Sequence, residues 1–253
     1  MLKKRISAAI VVKNGLVVQS FGFSAHLPIG KIFPAVRNLA NWKVDEIIIL
    51  DISAAFKGRV NLDLIKAASE ACDGTPLIYG GGIQNERTAS EVIRNGADRL
   101  IVGASFLEGR CSSESITDEI GAQALVISLP LVLRGKKLAV LNYKKGTIRP
   151  VDHYQETYLD QNISEVLLTD VLSVGKLDEG FSLLDHCEVQ FKGLSQILYG
   201  GIASTDITAL LEKEDVVSVV IGNRLQHQEL SYWAFKQGLT YKDDSFPRKI
   251  DVM

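Results

Sequence analysis

A short glycine motif that occurs twice constrains the fold of this chain more than any other feature. The segment Tyr79-Gly-Gly-Gly-Ile83 is followed 120 residues later by Tyr199-Gly-Gly-Ile202. Each copy lies between a short apolar run and a polar stretch that opens a helix. A strand that ends in glycines before a helix presents backbone N–H groups at the positive end of a helix dipole, which favours anions. The motif therefore predicts phosphate binding, or on the plainer interpretation two glycine turns.

Other segments repeat at nearly the same spacing. Four matches at offsets of 119 or 120 residues indicate an internal duplication. Besides the glycine motif, the matched pairs are Glu46–Asp51 with Glu165–Asp170, Gly103 with Gly222, and Lys13–Gly15 with Leu133–Gly135.

Apolar runs and helix-like segments alternate eight times along the sequence. This alternation predicts an α/β fold, a (β/α)8 TIM barrel built from two half-barrels. We expect the halves to span residues of about 1–120 and 121–240, followed by a polar C-terminal tail. No linker rich in proline, glycine or serine divides the chain, so residues 1–253 are expected to form a single domain.

The composition supports a large buried core and excludes several kinds of partner. The chain has 253 residues, of which 46% are hydrophobic, and a net charge of −2. That charge gives no basic surface for nucleic acid, and no run of about 18 apolar residues predicts a membrane span. We therefore expect a cytoplasmic protein. Its three cysteines and four histidines are scattered without the spacing of zinc ligands, so neither a metal nor a cofactor is predicted.

In barrels of this kind the chemistry lies at the C-terminal ends of the strands. Asp51 and Asp170 follow equivalent strands of the two halves, and a carboxylate there is a candidate general acid or base. The alternative is that each aspartate caps a neighbouring loop. The candidate phosphate-binding residues at the strand ends are Gly81, Gly82, Gly103, Ala104, Gly201, Gly222 and Asn223.

Charged residues begin four strands at the opposite, N-terminal end of the predicted barrel. They are Arg5, Glu46, Arg99 and Glu165. Burying such charges costs several kcal/mol unless they pair, and two arginines can pair with two glutamates. The set therefore predicts a ring that either plugs the barrel or acts as a gate.

Several segments resemble the HisF family, the cyclase subunit of imidazole glycerol phosphate synthase. The resemblance is carried by Val44–Ile52, Gly80–Ile83, Thr88–Asp98 and Gly121–Ala124. It implies a two-phosphate barrel that receives ammonia from a HisH-like glutaminase docked on the N-terminal face. It also implies that the ring of four charges is the ammonia gate, that Asp98 belongs to the partner interface, and that Gly175 belongs to a phosphate loop.

The C-terminal end of the predicted barrel departs from the family pattern. Val11 stands where the first general acid or base aspartate is expected, and Ser128–Leu131 contains no acid for the second. Valine and proline cannot transfer protons, so the usual lyase and cyclase chemistry is in doubt. The loop His26–Lys31 is similar to one in HisF-like proteins associated with surface-polysaccharide biosynthesis.

Three hypotheses follow. The first is a HisF-like subunit of a glutamine-dependent amidotransferase, which delivers ammonia to a phosphorylated small molecule or nucleotide-sugar on the way to an amidino-sugar. The second is an ordinary histidine-pathway cyclase in which Asp51 and Asp170 supply the acids. The third is a non-catalytic scaffold that activates a glutaminase and conducts ammonia.

Overall fold

Eight parallel strands close into a barrel, which confirms the predicted (β/α)8 architecture. The computed structural model describes residues 4–155, 163–176 and 181–226. Each barrel strand pairs in parallel with its neighbours, and the last returns to the first. In order around the barrel, the strands are β1 (Arg5–Lys13), β4 (Glu46–Asp51), β5 (Leu77–Gly80), β6 (Arg99–Val102), β7 (Leu125–Arg134), β10 (Glu165–Asp170), β11 (Gln196–Tyr199) and β12 (Val216–Ile221).

Two antiparallel excursions extend the barrel at its C-terminal mouth. After β1 the chain forms β2 (Leu16–Phe21) and β3 (Ala25–Gly30), and after β7 it forms β8 (Lys137–Asn142) and β9 (Thr147–Pro150). The sequence predicts a strand pair or loop at the first place and a hairpin at the second. Because β1 and β7 continue directly into these ladders, paired strands rather than loose loops stand over the mouth.

The longer helices cover the outside of the barrel, and each buries an apolar face against it. In α3, for example, Leu64, Ile65, Ala68 and Ala71 are buried at helical spacing, and the Asn61 side chain caps the first turn. The helices described are α1 (Ile32–Asn41), α2 (Ile52–Lys57), α3 (Leu62–Ala71), α4 (Glu86–Arg94), α5 (Ala104–Leu107), α6 (Ser113–Ile120), α7 (Leu184–Gln190) and α8 (Ile207–Glu212). None of these is long and apolar enough to cross a membrane.

Some helix predictions were shifted or missed. The sequence predicts a helix over 181–187, but α7 begins at Leu184, and α2, α5 and α6 were not predicted. A predicted helix over part of 152–160 begins as a 3-10 turn, Val151–Tyr154. The rest of that segment and the predicted helix over 230–237 lie outside the described residues.

The backbone register repeats with an offset of 119 residues. Leu50 pairs with Gly80 in the first half and Thr169 pairs with Tyr199 in the second. The counterpart of Tyr199 is therefore Gly80, and matching Tyr199 to Tyr79 at 120 residues was wrong by one position. A slip of one residue moves a side chain to the other face of a sheet. Accordingly, Tyr79 packs in the outer core whereas Tyr199 packs inside the barrel.

A layer of apolar side chains fills the middle of the barrel. Alternate residues along each strand face this interior, as the pleat requires. The layer separates the charged end of the barrel from its C-terminal mouth. Its members include Ala9, Ile48, Ile78, Ile101, Val126, Leu167, Ile197 and Val220.

Candidate functional site

A cavity with a volume of about 610 Å³ lies at the C-terminal mouth. The ends of β4, β5, β6, β7 and β10 form its floor, while α2, the β2–β3 turn and the end of β8 form its walls. Ile101 and Leu167 of the apolar layer belong to the floor, so the cavity reaches down to the middle of the barrel. Its size suits a small organic ligand. We call it the main cavity.

The first glycine motif forms one side of the main cavity. Gly81 and Gly82 have φ of 149° and 77°, which L side chains rarely adopt. A Cβ at Gly81 would lie 2.5 Å from the carbonyl oxygen of Asp51, so only glycine lets the two segments approach. Gly103 and Ala104 of the next strand end line the same cavity. The four first-half phosphate candidates are thus brought together.

The remaining phosphate candidates line a separate, smaller cleft. Its volume is about 30 Å³, and Gly175, Gly201, Gly222 and Asn223 all contribute to it. Lys176 and Arg224 add cationic side chains. The eight candidates therefore divide into two groups, one for each half of the barrel. We call this second site the small cleft.

Asp51 lies at the edge of the main cavity and also caps α2. Its carboxylate accepts a hydrogen bond of 2.9 Å from the backbone N–H of Ala54. Burial raises the pKa of Asp51, and the hydrogen bond from Ala54 partly offsets the shift. The capping interpretation therefore holds for this residue, while its position also leaves it available for proton transfer.

Asp170 has a different environment. Its Oδ2 accepts hydrogen bonds from the hydroxyls of Ser173, at 2.9 Å, and Ser182, at 2.6 Å. The side chain is buried and does not line the main cavity. The two aspartates occupy equivalent strand ends, yet the structure places only Asp51 at the cavity.

Cations around the main cavity were not singled out from the sequence. Lys13 and Lys57 line it, against the single carboxylate of Asp51 among the described lining residues. Burial and the nearby Lys13 ammonium lower the pKa of His26, another lining residue, which favours its neutral form. This balance favours an anionic ligand. Lys13 could have been noted from its place at the end of the first strand, whereas Lys57 lies on the unpredicted α2.

An aromatic pair closes another side of the main cavity. The rings of Phe56 and Tyr143 lie 5.9 Å apart at an angle of 60°. Phe56 comes from α2 and Tyr143 follows β8, so the pair joins the two halves of the barrel over the mouth. Burial raises the pKa of Tyr143, which keeps its phenol protonated and able to donate a hydrogen bond. In the sequence, only the predicted hairpin near Tyr143 indicated that this aromatic pair could form.

The four charged residues at the N-terminal end form a closed ring of ion pairs, which we call the charged ring. Arg5 lies 2.8 Å from Glu165 and 3.6 Å from Glu46. Arg99 lies 2.8 Å from Glu165 and 3.4 Å from Glu46. Each carboxylate thus contacts both arginines, and the charges alternate around the barrel axis.

The charged ring is largely removed from water. The Glu46 side chain is only 4% exposed, and burial raises its pKa despite the attraction of Arg5 and Arg99. Burial acts to lower the pKa of Arg5, but Glu46 and Glu165 outweigh it and the net shift is upward. Above the ring, Ser7 donates to Glu46 at 2.8 Å and lies 2.8 Å from the Ser218 hydroxyl.

Asp98 lies on the same end of the barrel and is exposed. Its Oδ2 accepts a hydrogen bond of 2.8 Å from the backbone N–H of Leu77, at the start of β5. The side chain is thus held at the surface by the start of β5. No group of three or more metal-ligating side chains occurs among the described residues.

Comparison of the sequence with known proteins shows which family the chain belongs to. A profile of the family described as "Histidine biosynthesis protein" matches residues 5–231. The chain belongs to that family. Imidazole glycerol phosphate synthase subunit HisF of Pyrococcus furiosus is 30% identical over 205 residues, which cover 79% of this chain and 81% of that one. The chain is accordingly a HisF-family, cyclase-type subunit.

Two relatives carry a different name. "Putative imidazole glycerol phosphate synthase subunit hisF2" of Vibrio vulnificus is 34% identical over 153 residues, 60% of this chain and 56% of that one. A protein of the same name from Campylobacter jejuni is 30% identical over 186 residues, 72% of this chain and 73% of that one. The match to the Vibrio protein thus spans little more than half of either chain.

Proposed function

We propose that this HisF-family chain is the ammonia-accepting subunit of a glutamine-dependent amidotransferase. In this proposal a HisH-like glutaminase docks at the N-terminal end, near Asp98. Ammonia passes the charged ring and reacts with a phosphorylated acceptor in the main cavity. We place the protein in the cytoplasm and its product in an amino- or amidino-sugar pathway.

The alignment of ring, apolar layer and cavity along one axis carries the proposal. Glu46 of the charged ring bonds to Ser7 inside the barrel, and only the apolar layer separates Ser7 and Ser218 from the cavity floor at Ile101. A neutral ammonia molecule can cross such a layer, whereas ammonium would lose its hydration without compensation. The arrangement therefore favours delivery of NH3 in the unprotonated form.

The residues at the family's acid positions support a changed reaction. Val11 and Pro130 occupy equivalent register positions, next to Leu50 and Thr169 respectively. Neither side chain can donate or accept a proton.

A turnover assay tests the changed reaction. The purified chain is incubated with the substrate of imidazole glycerol phosphate synthase and an ammonium salt, beside an authentic HisF such as that of Pyrococcus furiosus. We expect no cyclisation by this chain. Turnover near that of the authentic subunit would refute the proposal.

Partner binding is tested through Asp98. The chain is mixed with a HisH-type glutaminase from the same genome, and complex formation and glutamine hydrolysis are measured. Asp98→Asn keeps an acceptor for the Leu77 N–H but removes the charge, so we expect weaker glutaminase activation without loss of folding. Asp118→Asn, at an exposed position on α6, is the matched control. Equal effects of the two substitutions would count against the interface.

A second candidate function is an ordinary cyclase in which Asp51 replaces the missing acids. The observation in its favour is that Asp51 lines the main cavity with a raised pKa. Asp51→Asn should then abolish turnover of the histidine-pathway substrate. The scaffold alternative predicts glutaminase activation with no ligand bound in the main cavity.

A further inference from the structure

We infer that Phe23 and Tyr199 restrict the acceptor to a ligand that carries phosphate at one end only, bound in the main cavity. The inference rests on the proposed function, because it takes the main cavity as the acceptor site. It goes further by assigning two specificity-determining residues and by excluding ligands that span both halves of the barrel.

The first argument is that Gly80 and Tyr199 occupy equivalent register positions but differ in their side chains. Gly80 lines the main cavity and has no side chain, and Ile101 packs against it, 3.0 Å from where a Cβ would lie, so the first half carries no ring at this level. In the second half the Tyr199 ring fills the corresponding space inside the barrel. Its hydroxyl lies 3.0 Å from the place a Cβ on Gly222 would occupy, so the ring extends across to the end of β12.

The second argument is the contact between the two aromatic rings. Phe23, from the β2–β3 turn, meets Tyr199 edge-on, with ring centroids 6.3 Å apart and an angle of 70°. Phe23 lines the main cavity, and Tyr199 lines the small cleft. The pair therefore stands between the two candidate phosphate sites.

The third argument is that the β2–β3 hairpin is fixed over the small cleft. Asn223 accepts from the Ser20 N–H at 3.1 Å and donates to the Ser20 carbonyl at 2.9 Å. The Gly22 N–H donates to the Val174 carbonyl at 2.9 Å. Gly175 lies so close to Ser20 that any side chain there would overlap its carbonyl oxygen. One of the predicted phosphate ligands, Asn223, is thus already engaged by the hairpin.

The fourth argument is the backbone of Phe23 itself. Gly22 and Phe23 have φ of 57° and 53°, and bulky residues rarely adopt positive φ. Tight hairpin turns of this kind prefer glycine or asparagine at both central positions. A phenylalanine held in this conformation indicates that its ring serves the site rather than the turn.

Together, these four features indicate what kind of ligand the main cavity can hold. The small cleft, at about 30 Å³, is far smaller than the main cavity, at about 610 Å³, and the Phe23–Tyr199 pair lies between them. The main cavity takes one phosphate-bearing end beside Gly81, Gly82, Lys13 and Lys57, and an uncharged body against Phe56 and Tyr143.

Comparing two sugar phosphates tests the inference. Dissociation constants of ribose 5-phosphate and ribulose 1,5-bisphosphate are measured by calorimetry at one ionic strength and at concentrations into the millimolar range. If one site is used, the bisphosphate binds only about twofold tighter, the statistical factor for two ends; if both are bridged, its affinity exceeds this by about tenfold or more. The second result overturns the inference, and so does the absence of binding by both probes. The glutaminase tests above are independent of this outcome, so the two failures can be told apart.

A variant of the turn makes the test specific. Phe23→Gly removes the ring at a position whose φ suits glycine, so the fold is expected to remain intact. It should tighten binding of the bisphosphate by about fivefold or more and leave that of the monophosphate within about twofold. Tyr199→Gly, which copies Gly80, should act in the same direction. Leu27→Ala, at an exposed position of the same hairpin, is the control and should change neither constant. If Phe23→Gly behaves like Leu27→Ala, the inference is wrong.

Discussion

The guanidinium of Arg99 lies 2.8 Å from the carboxylate of Glu165, and the same side chain holds three further groups. It lies 3.4 Å from Glu46 and donates to the Ser164 hydroxyl and to the Gln123 carbonyl, each at 3.1 Å. One planar fork thus joins the charged ring to the segments that precede β7 and β10. A lysine has a single ammonium and cannot reach all four groups at once.

Arg99→Met should therefore destabilise the fold strongly. It leaves two buried carboxylates to share Arg5, and removal of one partner from a buried ion pair costs about 3 kcal/mol. Arg99→Lys retains the charge but loses the hydrogen bonds to Ser164 and Gln123, with an expected loss of about 1 kcal/mol. Urea unfolding monitored by circular dichroism measures both. Equal losses for the two variants would show that the fork geometry is unimportant.

Gly82→Ala should lower the free energy of unfolding by more than the backbone conformation of Gly82 alone explains. A Cβ there would lie 2.5 Å from the carbonyl carbon of Arg59, and φ is 77°. Gly193 has nearly the same φ, 82°, with nothing within 4 Å of a new Cβ, and is the matched control. We expect Gly193→Ala to lose about 1 kcal/mol of stability from backbone strain. Gly82→Ala should lose at least about 3 kcal/mol, from backbone strain together with steric overlap. Thermal or urea denaturation gives both values, and indistinguishable midpoints would contradict the steric argument.

The raised pKa of Asp51 predicts a pH-dependent stability difference. Because burial raises the pKa in the folded state, the folded protein binds the proton more tightly than the unfolded chain. The wild-type protein should lose stability relative to Asp51→Asn as pH rises from the unfolded value of about 4 through the folded pKa. Above the folded pKa the difference becomes constant. Urea midpoints of both proteins at several pH values check the sign, and a wild-type protein that gains stability relative to Asp51→Asn as pH rises would contradict it.

The thiols should differ sharply in reactivity. Burial raises the pKa of Cys72 to about 11 and that of Cys187 to about 12, with Asp98 and Asp170 adding to the respective shifts. Cys111 is only partly buried. At pH 8 the thiolate fraction of Cys72 is about one in a thousand, and the thiolate is the reactive form. A disulfide reagent that releases a coloured thiolate on reaction should label one thiol in the native protein and three in urea. Rapid native labelling of two or more would argue against this burial.

Much of the barrel could be predicted because its signals are local. The boundaries of α3 follow from the Asn61 cap and the helical spacing of Leu64 and Ile65, and β10 was predicted at its observed ends, Glu165–Asp170. The four charges of the ring lie together because the starts of parallel strands meet at one end of a closed barrel.

Other features depend on contacts that no local pattern contains. A motif match could not decide whether Tyr79 or Gly80 corresponds to Tyr199, because the two possible alignments differ by one residue. Only the pairing of strands determines on which face of the sheet each side chain lies. The separation of Asp51 from Asp170 likewise arises from distant groups, because Ser182 and the β2–β3 hairpin are brought beside the second half by folding.

The constant register offset has a consequence for how the barrel is closed. Leu100 pairs with Leu125 across one boundary between the halves, and Val219 pairs with Ile6 across the other. The two seams are interchangeable in their hydrogen-bond ladders, so two copies of the first half meet the condition for closing on each other as a symmetric homodimer. Such an assembly would carry Gly80 in both places and open the mouth on both sides, a starting scaffold for engineered sites that hold ligands with two anionic ends.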